Sequence, residues 1–150
     1  YFNSECSETI TASLKEEFTK KLRGLSEVEK VSKLLCFMHQ HSPYMEDYQQ
    51  FGFEKFFFFE EYFSYPYSDC EDNSILFAYL VRKLTNCKVI GLEYDDHVAT
   101  AVRFEEEVNG SYIVFNGEKY VICDPTYFGA PIGKYMPGYQ NKKAKIIEIR

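Results

Sequence analysis

The sequence predicts an α+β fold in which helices come first along the chain and an antiparallel sheet comes last. Apolar residues recur at helical spacing up to Leu84, and short β-rich runs follow from Lys88 onward. Between two of these runs, Asn116-Gly117 is a two-residue turn of the kind that joins antiparallel strands. Helices followed by strands, without alternation, are typical of α+β domains.

Two helices are predicted before residue 44. Leu14, Phe18 and Leu22 recur at helical spacing, and Gly24 ends the pattern. Ser26 and Glu29 have the spacing of a capping box, which predicts the start of a second helix. Its apolar positions are Val28, Val31, Leu34, Leu35 and Met38, and Ser42-Pro43 ends it.

The middle segment, residues 44–66, is aromatic and acidic, and we predict loops with one helical turn. Its aromatic residues are expected to form core and cleft wall, with a substrate-binding groove as the alternative. They are Phe56 to Phe59, Tyr62, Phe63, Tyr65 and Tyr67.

A third helix is predicted to begin near Cys70, because Ser68 and Glu71 repeat the capping-box spacing. Its apolar residues cover nearly the whole circumference, so it is expected in the core; they are Ile75, Leu76, Tyr79, Leu80 and Leu84. The predicted strands cover residues 89–92, 97–104, 112–115, 120–123 and 147–149.

Composition limits the classes of function. A chain of 150 residues with 45% hydrophobic residues can bury one core, which predicts a single domain over residues 1–150. A net charge of -6 without clustered Lys and Arg argues against nucleic-acid binding and slightly favours a basic substrate. No apolar run reaches the roughly 20 residues that span a membrane. Because the chain starts at Tyr1 without Met, we expect a piece of a longer protein with flanking domains.

The cysteines do not indicate a disulfide framework. The chain has 5 of them, an odd number without a CxxC pair, so at least one thiol is expected to be free. Cys36, His39 and His41 lack the partner pair of a zinc site, and histidines are common at helix ends.

Three residues have the chemistry of a cysteine nucleophile and its partners. Cys70 lies at a helix start, His97 begins a predicted strand, and Asp124 follows another. A thiol nucleophile needs a base that takes its proton and a third group that holds the base in one tautomer. The helix N-terminus should lower the pKa of the thiol and supply N–H donors to an oxyanion.

The acidic neighbours of Cys70 act in the opposite direction, since nearby carboxylates disfavour a thiolate. They are Asp69, Glu71 and Asp72. Three arrangements resolve the conflict: His97 becomes an imidazolium that pairs with Cys70, a metal such as calcium binds the carboxylates, or the carboxylates point away into caps and salt bridges.

Strand order decides whether His97 and Asp124 can meet. In a simple meander they would lie roughly 15 Å apart, at opposite ends of the sheet. If residues 97–104 pair directly with 117–124, His97 can lie opposite Asp124. That register also places Thr100 opposite Val121 and Phe104 opposite Gly117, with residues 112–115 on the outer side. Catalysis therefore predicts this strand order.

Three motifs in this order resemble the transglutaminase-like superfamily of papain-like cysteine enzymes, over roughly residues 34–137. They are Asp69-Cys70-Glu71-Asp72 before an apolar helix, His97-Val98-Ala99 at a strand start, and Tyr120-Val121-Ile122-Cys123-Asp124-Pro125-Thr126. The resemblance implies a papain-like core in which the nucleophile helix packs on an antiparallel sheet. It also implies that Cys70 is the nucleophile, His97 the general base and acid, and Asp124 the orienting carboxylate.

The resemblance is greatest to bacterial members that hydrolyse peptide bonds, which implies a peptidase or amidase acting on a protein or peptide through a thioester. Some of these bind calcium beside the nucleophile, and Asp69 and Glu71 are the matching positions; the chemistry itself requires no cofactor. Crosslinking acyl transfer is an alternative, although the chain lacks the tryptophans of animal crosslinking enzymes. A silent binding or scaffold domain is another. Candidate oxyanion or substrate-binding residues are Gln40, Tyr44 and Tyr67.

Overall fold

A computed structural model describes residues 1–4 and 7–149, so Cys6 lies outside the described residues. Within them, the helices are α1 (Glu8–Leu22), α2 (Glu27–His41), α3 (Asp47–Gln50), a 3₁₀ helix (Glu61–Phe63) and α4 (Cys70–Leu84). The strands are β1 (Lys88–Tyr94), β2 (His97–Arg103), β3 (Tyr112–Phe115), β4 (Glu118–Cys123) and β5 (Lys145–Glu148). The helices precede the strands, which confirms the predicted α+β order.

The first two helices are stabilised as their sequence predicts. Phe18 and Leu22 form the buried face of α1, and Gly24 follows with a φ of 76°, a left-handed conformation that favours glycine. At the start of α2, the Glu29 N–H donates to Ser26 Oγ and the Ser26 N–H donates to Glu29 Oε2. Both bonds of the predicted capping box are therefore present.

Residues 44–66 contain two short helical segments, α3 and the 3₁₀ helix, where the sequence predicts one helical turn. Phe57 and Phe59 are buried in the core, whereas Phe56 and Phe58 are exposed. This alternation places part of the aromatic segment in the core, as predicted, and leaves the rest at the surface.

Helix α4 is the central helix of the fold and packs on β1 and β2 and against α1 and α2. It is buried almost continuously from Cys70 to Val81, which confirms its predicted place in the core. The predicted cap is wrong. Asp69 is the N-cap and accepts a hydrogen bond from the Asp72 N–H, while the buried Ser68 hydroxyl bonds Asn73 instead. No helix within the described residues is long and apolar enough to cross a membrane.

The sheet has the strand order β3-β4-β2-β1-β5, and each neighbouring pair is antiparallel. Strand β4 pairs directly with β2 and β3 lies outside it, which confirms the predicted order. The predicted register is wrong by two residues, because Thr100 lies opposite Cys123 rather than Val121. A shift of two keeps every side chain on the same face, so the hydrophobic pattern cannot distinguish these registers.

The predicted pairing of Phe104 with Gly117 is also wrong. Phe104 follows the end of β2, and Gly117 forms the β3–β4 turn with Asn116. Both turn residues have positive φ, 51° and 77°, as a type I′ hairpin turn requires.

Candidate active site

Three elements bring the predicted site residues to one region of the fold. Cys70 is the first residue of α4, His97 is the first residue of β2, and Asp124 directly follows β4. All three side chains are buried, with exposed fractions of 6%, 6% and 2%.

His97 and Asp124 are joined by a buried hydrogen bond of 2.8 Å between His97 Nε2 and Asp124 Oδ2. The other carboxylate oxygen, Oδ1, accepts the main-chain N–H groups of Thr126 at 3.0 Å and Tyr127 at 3.2 Å. Both oxygens are therefore engaged, which fixes the direction in which Asp124 faces the ring. The two-residue difference in register does not prevent this contact, because both residues project from the same face.

The Cys70 thiol donates a hydrogen bond to Glu71 Oε2 at 2.9 Å. Burial raises the pKa of this thiol well above its ordinary value, and the charge of Glu71 raises it further. The sequence predicts a thiol pKa lowered by the helix N-terminus, and in this conformation that prediction is wrong. Among the described residues, no hydrogen bond joins Cys70 to His97.

Cys70 nevertheless lies close to the main chain beside His97, because the start of α4 packs against the start of β2. The Ser74 hydroxyl, one turn after Cys70, donates to the Val98 carbonyl at 3.0 Å. The Val98 N–H lies near the Cys70 sulfur and acts to lower the pKa of the thiol, although less than burial raises it. Since Nε2 of His97 is bonded to Asp124, Nδ1 is the ring nitrogen left for the thiol.

Buried carboxylates surround the helix start. One oxygen each from Asp47, Asp69 and Asp72 lies within 4.8 Å of the other two, and all three residues are buried. Burial raises the pKa of Asp72 to about 7, and nearby carboxylates contribute to the rise. The pKa of Asp69 is raised in the same direction by burial and by the charge of Asp72.

These carboxylates fit a hard cation. Asp72 Oδ1 accepts the Phe57 N–H at 2.8 Å, whereas Asp72 Oδ2 is buried and has no hydrogen-bond partner among the described residues. An unpartnered buried carboxylate oxygen is costly unless a proton or a cation compensates it, and oxygen-only ligand sets suit calcium. A second grouping within 4.8 Å consists of Asp69, Glu71 and the exposed Glu54. Asp69 belongs to both groups.

The three oxyanion candidates have different surroundings. Residues 43–45 pair with Ser68, two residues before the nucleophile. Burial raises the pKa of Tyr44, and the charges of Cys70 and Asp69 raise it further. The Tyr44 phenol therefore stays protonated and can donate. Tyr67 is half-buried, and no hydrogen bond of its hydroxyl is found within the described part of the chain. Gln40 is exposed, and its amide donates to Cys36 Sγ one turn earlier in α2.

A cavity of about 600 Å³ opens beside His97. It is bordered by the aromatic side chains of Phe56 and Tyr94, and by four carboxylates: Glu71, Glu93, Asp95 and Asp96. Glu93 pairs with Lys145 at 2.9 Å, and Asp96 pairs with Lys142 at 2.8 Å. The cavity is large enough for part of an extended peptide and carries a surplus of negative charge.

Sequence reasoning did not find two of the residues at this site. Asp47 is buried beside Asp69, and His39 contacts the loop that follows Asp124. Asp47 stands in no motif, and the sequence indicated His39 only in relation to a zinc site. Only the folded chain brings each residue beside its partner. The three residues considered for zinc, Cys36, His39 and His41, form no metal-ligand grouping within the described residues.

No family model matches this sequence, and no curated protein matches it.

Proposed function

We propose that this chain is a cysteine peptidase or amidase of the transglutaminase-like type, with a papain-like core, that cleaves a peptide or amide bond through a thioester. The observation that carries the proposal is the buried His97–Asp124 hydrogen bond beside a helix that begins with Cys70. A histidine oriented by a carboxylate, next to a thiol at a helix N-terminus, is the arrangement that thiol acyl transfer needs.

The first step moves the thiol proton. In the resting conformation Glu71 accepts the Cys70 hydrogen bond. Rotation of the thiol toward His97 lets Nδ1 take the proton, while Asp124 stabilises the imidazolium through Nε2. Substrate entry into the cavity beside His97, which Glu71 also borders, would accompany this rotation.

The thiolate then attacks the scissile carbonyl carbon. A carbon–sulfur bond forms, and the electron pair of the carbonyl moves to oxygen, where the Cys70 N–H at the helix start and the Tyr44 hydroxyl can donate to it. The carbon–nitrogen bond breaks as the imidazolium returns its proton to the leaving amine. Water, deprotonated by His97, hydrolyses the thioester and releases the acid and the thiol.

Calcium is proposed as a structural ion at the helix start. Asp69 and Glu71, together with Glu54, would hold it in one arrangement, and Asp47, Asp69 and Asp72 in the other. The unpartnered Asp72 Oδ2 favours the buried set. When bound, the ion would offset the carboxylate charge that disfavours a thiolate at Cys70.

The alternative of a silent binding or scaffold domain is favoured by the raised pKa of the Cys70 thiol and by its bond to Glu71. Incubation with a mixed peptide library, followed by mass spectrometry, separates the two. We expect new peptide termini with the wild type and none with Cys70→Ala. An unchanged library would support the silent domain. Incorporation of a fluorescent amine into a glutamine-containing protein would instead identify an acyl transferase.

A further inference from the structure

His39 joins helix α2 to the loop that carries Asp124. It lies in the last turn of α2 and is half-buried. Its Nε2 lies 3.2 Å from the Asp124 carbonyl oxygen, and the Gly129 N–H donates to its Nδ1 at 3.3 Å. One side chain therefore contacts the main chain at both ends of the segment from Asp124 to Gly129.

These contacts fix the tautomer of the His39 ring. Because Nδ1 accepts a hydrogen bond from the Gly129 N–H, it cannot carry a hydrogen atom itself. The hydrogen of the neutral ring is therefore on Nε2. Nε2 then donates to the Asp124 carbonyl. The neutral imidazole satisfies both main-chain groups in this single tautomer.

The Asp124 carbonyl depends on such a donor because, within the described residues, the sheet does not supply one. The β2–β4 pairing extends from Val102 opposite Val121 only as far as Thr100 opposite Cys123. A buried carbonyl past the end of a strand needs a hydrogen bond from elsewhere. The remaining bonds of Asp124 go through its side chain, to His97 and to the N–H groups of Thr126 and Tyr127.

We infer that His39 is a positioning residue for the catalytic pair: it holds the main chain of Asp124 so that the carboxylate keeps facing His97. This inference rests on the proposed function, because it matters to activity only if His97 serves Cys70. The contact joins residues that are 85 positions apart in the sequence, and it connects the helical layer to the end of β4. Displacement of an orienting group by about 1 Å lowers the rate of the step that it supports.

The test compares His39→Phe, which removes both hydrogen bonds, with His39→Gln, whose amide can still donate to the Asp124 carbonyl. Lys33→Ala, an exposed position on the same helix, is the matched control. Two quantities are measured: amide hydrogen exchange of Thr126 and Tyr127 by NMR, and the pH profile of Cys70 alkylation by iodoacetamide with peptide mapping. The first reports the position of Asp124, and the second reports its effect on the nucleophile.

In His39→Phe we expect exchange at Thr126 and Tyr127 to become about tenfold faster and alkylation near neutral pH to become about tenfold slower. His39→Gln should recover most of both, and Lys33→Ala should match the wild type. Wild-type exchange and an unchanged alkylation profile in His39→Phe would overturn the inference, as would a Gln variant that behaves like the Phe variant. If His39→Phe does not fold, His39→Ala replaces it in the same comparison.

Failure of the proposed function, in which His97 does not act on Cys70, would give a different result from failure of the His39 inference. In that case His97→Gln would leave Cys70 alkylation unchanged, while hydrogen exchange at Thr126 and Tyr127 would still report whether His39 holds Asp124.

Discussion

Replacing Glu71 with Gln should make Cys70 more reactive. Glu71 accepts the thiol hydrogen bond at 2.9 Å, and its charge opposes the thiolate. A hydrogen bond to a charged acceptor is stronger than one to a neutral acceptor by about 1–1.5 kcal/mol. This difference corresponds to a decrease of about 1 in the pKa of the thiol, and hence to about a tenfold larger thiolate fraction near pH 7.

The assay is the second-order rate of Cys70 alkylation by iodoacetamide in a chelating buffer, followed by peptide mapping, so that Cys70 is measured separately from the four other cysteines. We expect about a tenfold increase at Cys70 in Glu71→Gln and no change at Cys36, Cys87 and Cys123. Glu106→Gln, an exposed position in the turn after β2, removes the same charge far from Cys70 and should match the wild type. An equal or slower rate in Glu71→Gln would refute the role assigned to Glu71.

Three further predictions concern stability. In a chelating buffer Asp72→Asn should unfold at the same temperature as the wild type or higher, because it removes repulsion between buried carboxylates. With calcium present, it should lose any stabilisation that the ion gives the wild type. A calcium-dependent melting shift that survives in Asp72→Asn would contradict the buried ligand set. The folded pKa of Asp72, about 7, lies above its ordinary value of 3.8, so the folded state holds a proton that the unfolded state releases. Without calcium, the melting temperature should therefore fall as pH rises from about 4 through about 7, and a flat profile would exclude this contribution. Leu80→Ala, at a fully buried position of α4, should cost about 2–5 kcal/mol in urea denaturation, and a loss below 1 kcal/mol would show that the helix is not packed as described.

The three long helices and the β3–β4 turn could be predicted from the sequence because they depend on local patterns. Ser26 and Glu29 cap α2 as their spacing indicates, and Asn116-Gly117 makes the predicted turn. The requirement that His97 meet Asp124 selected the correct order among the strands.

The α4 cap, the strand register and the long-range contacts could not be predicted, because the sequence allows alternatives that are locally similar. Ser68 and Asp69 are both good N-cap residues, and Asp69 has that role because the buried Ser68 hydroxyl bonds Asn73. The register could not be predicted, because a shift of two preserves the inward and outward faces. Long-range contacts such as that of His39 with Asp124 leave no local signal in the sequence.

The most direct measurement is the pH dependence of Cys70 alkylation in the wild type, His97→Gln and Asp124→Asn. If His97 takes the thiol proton, the wild type should show a reactive population near neutral pH that both variants lose, with a fall in rate of about tenfold or more. Three superimposable profiles, each rising only at the alkaline pH of an isolated buried thiol, would mean that Cys70, His97 and Asp124 do not act together.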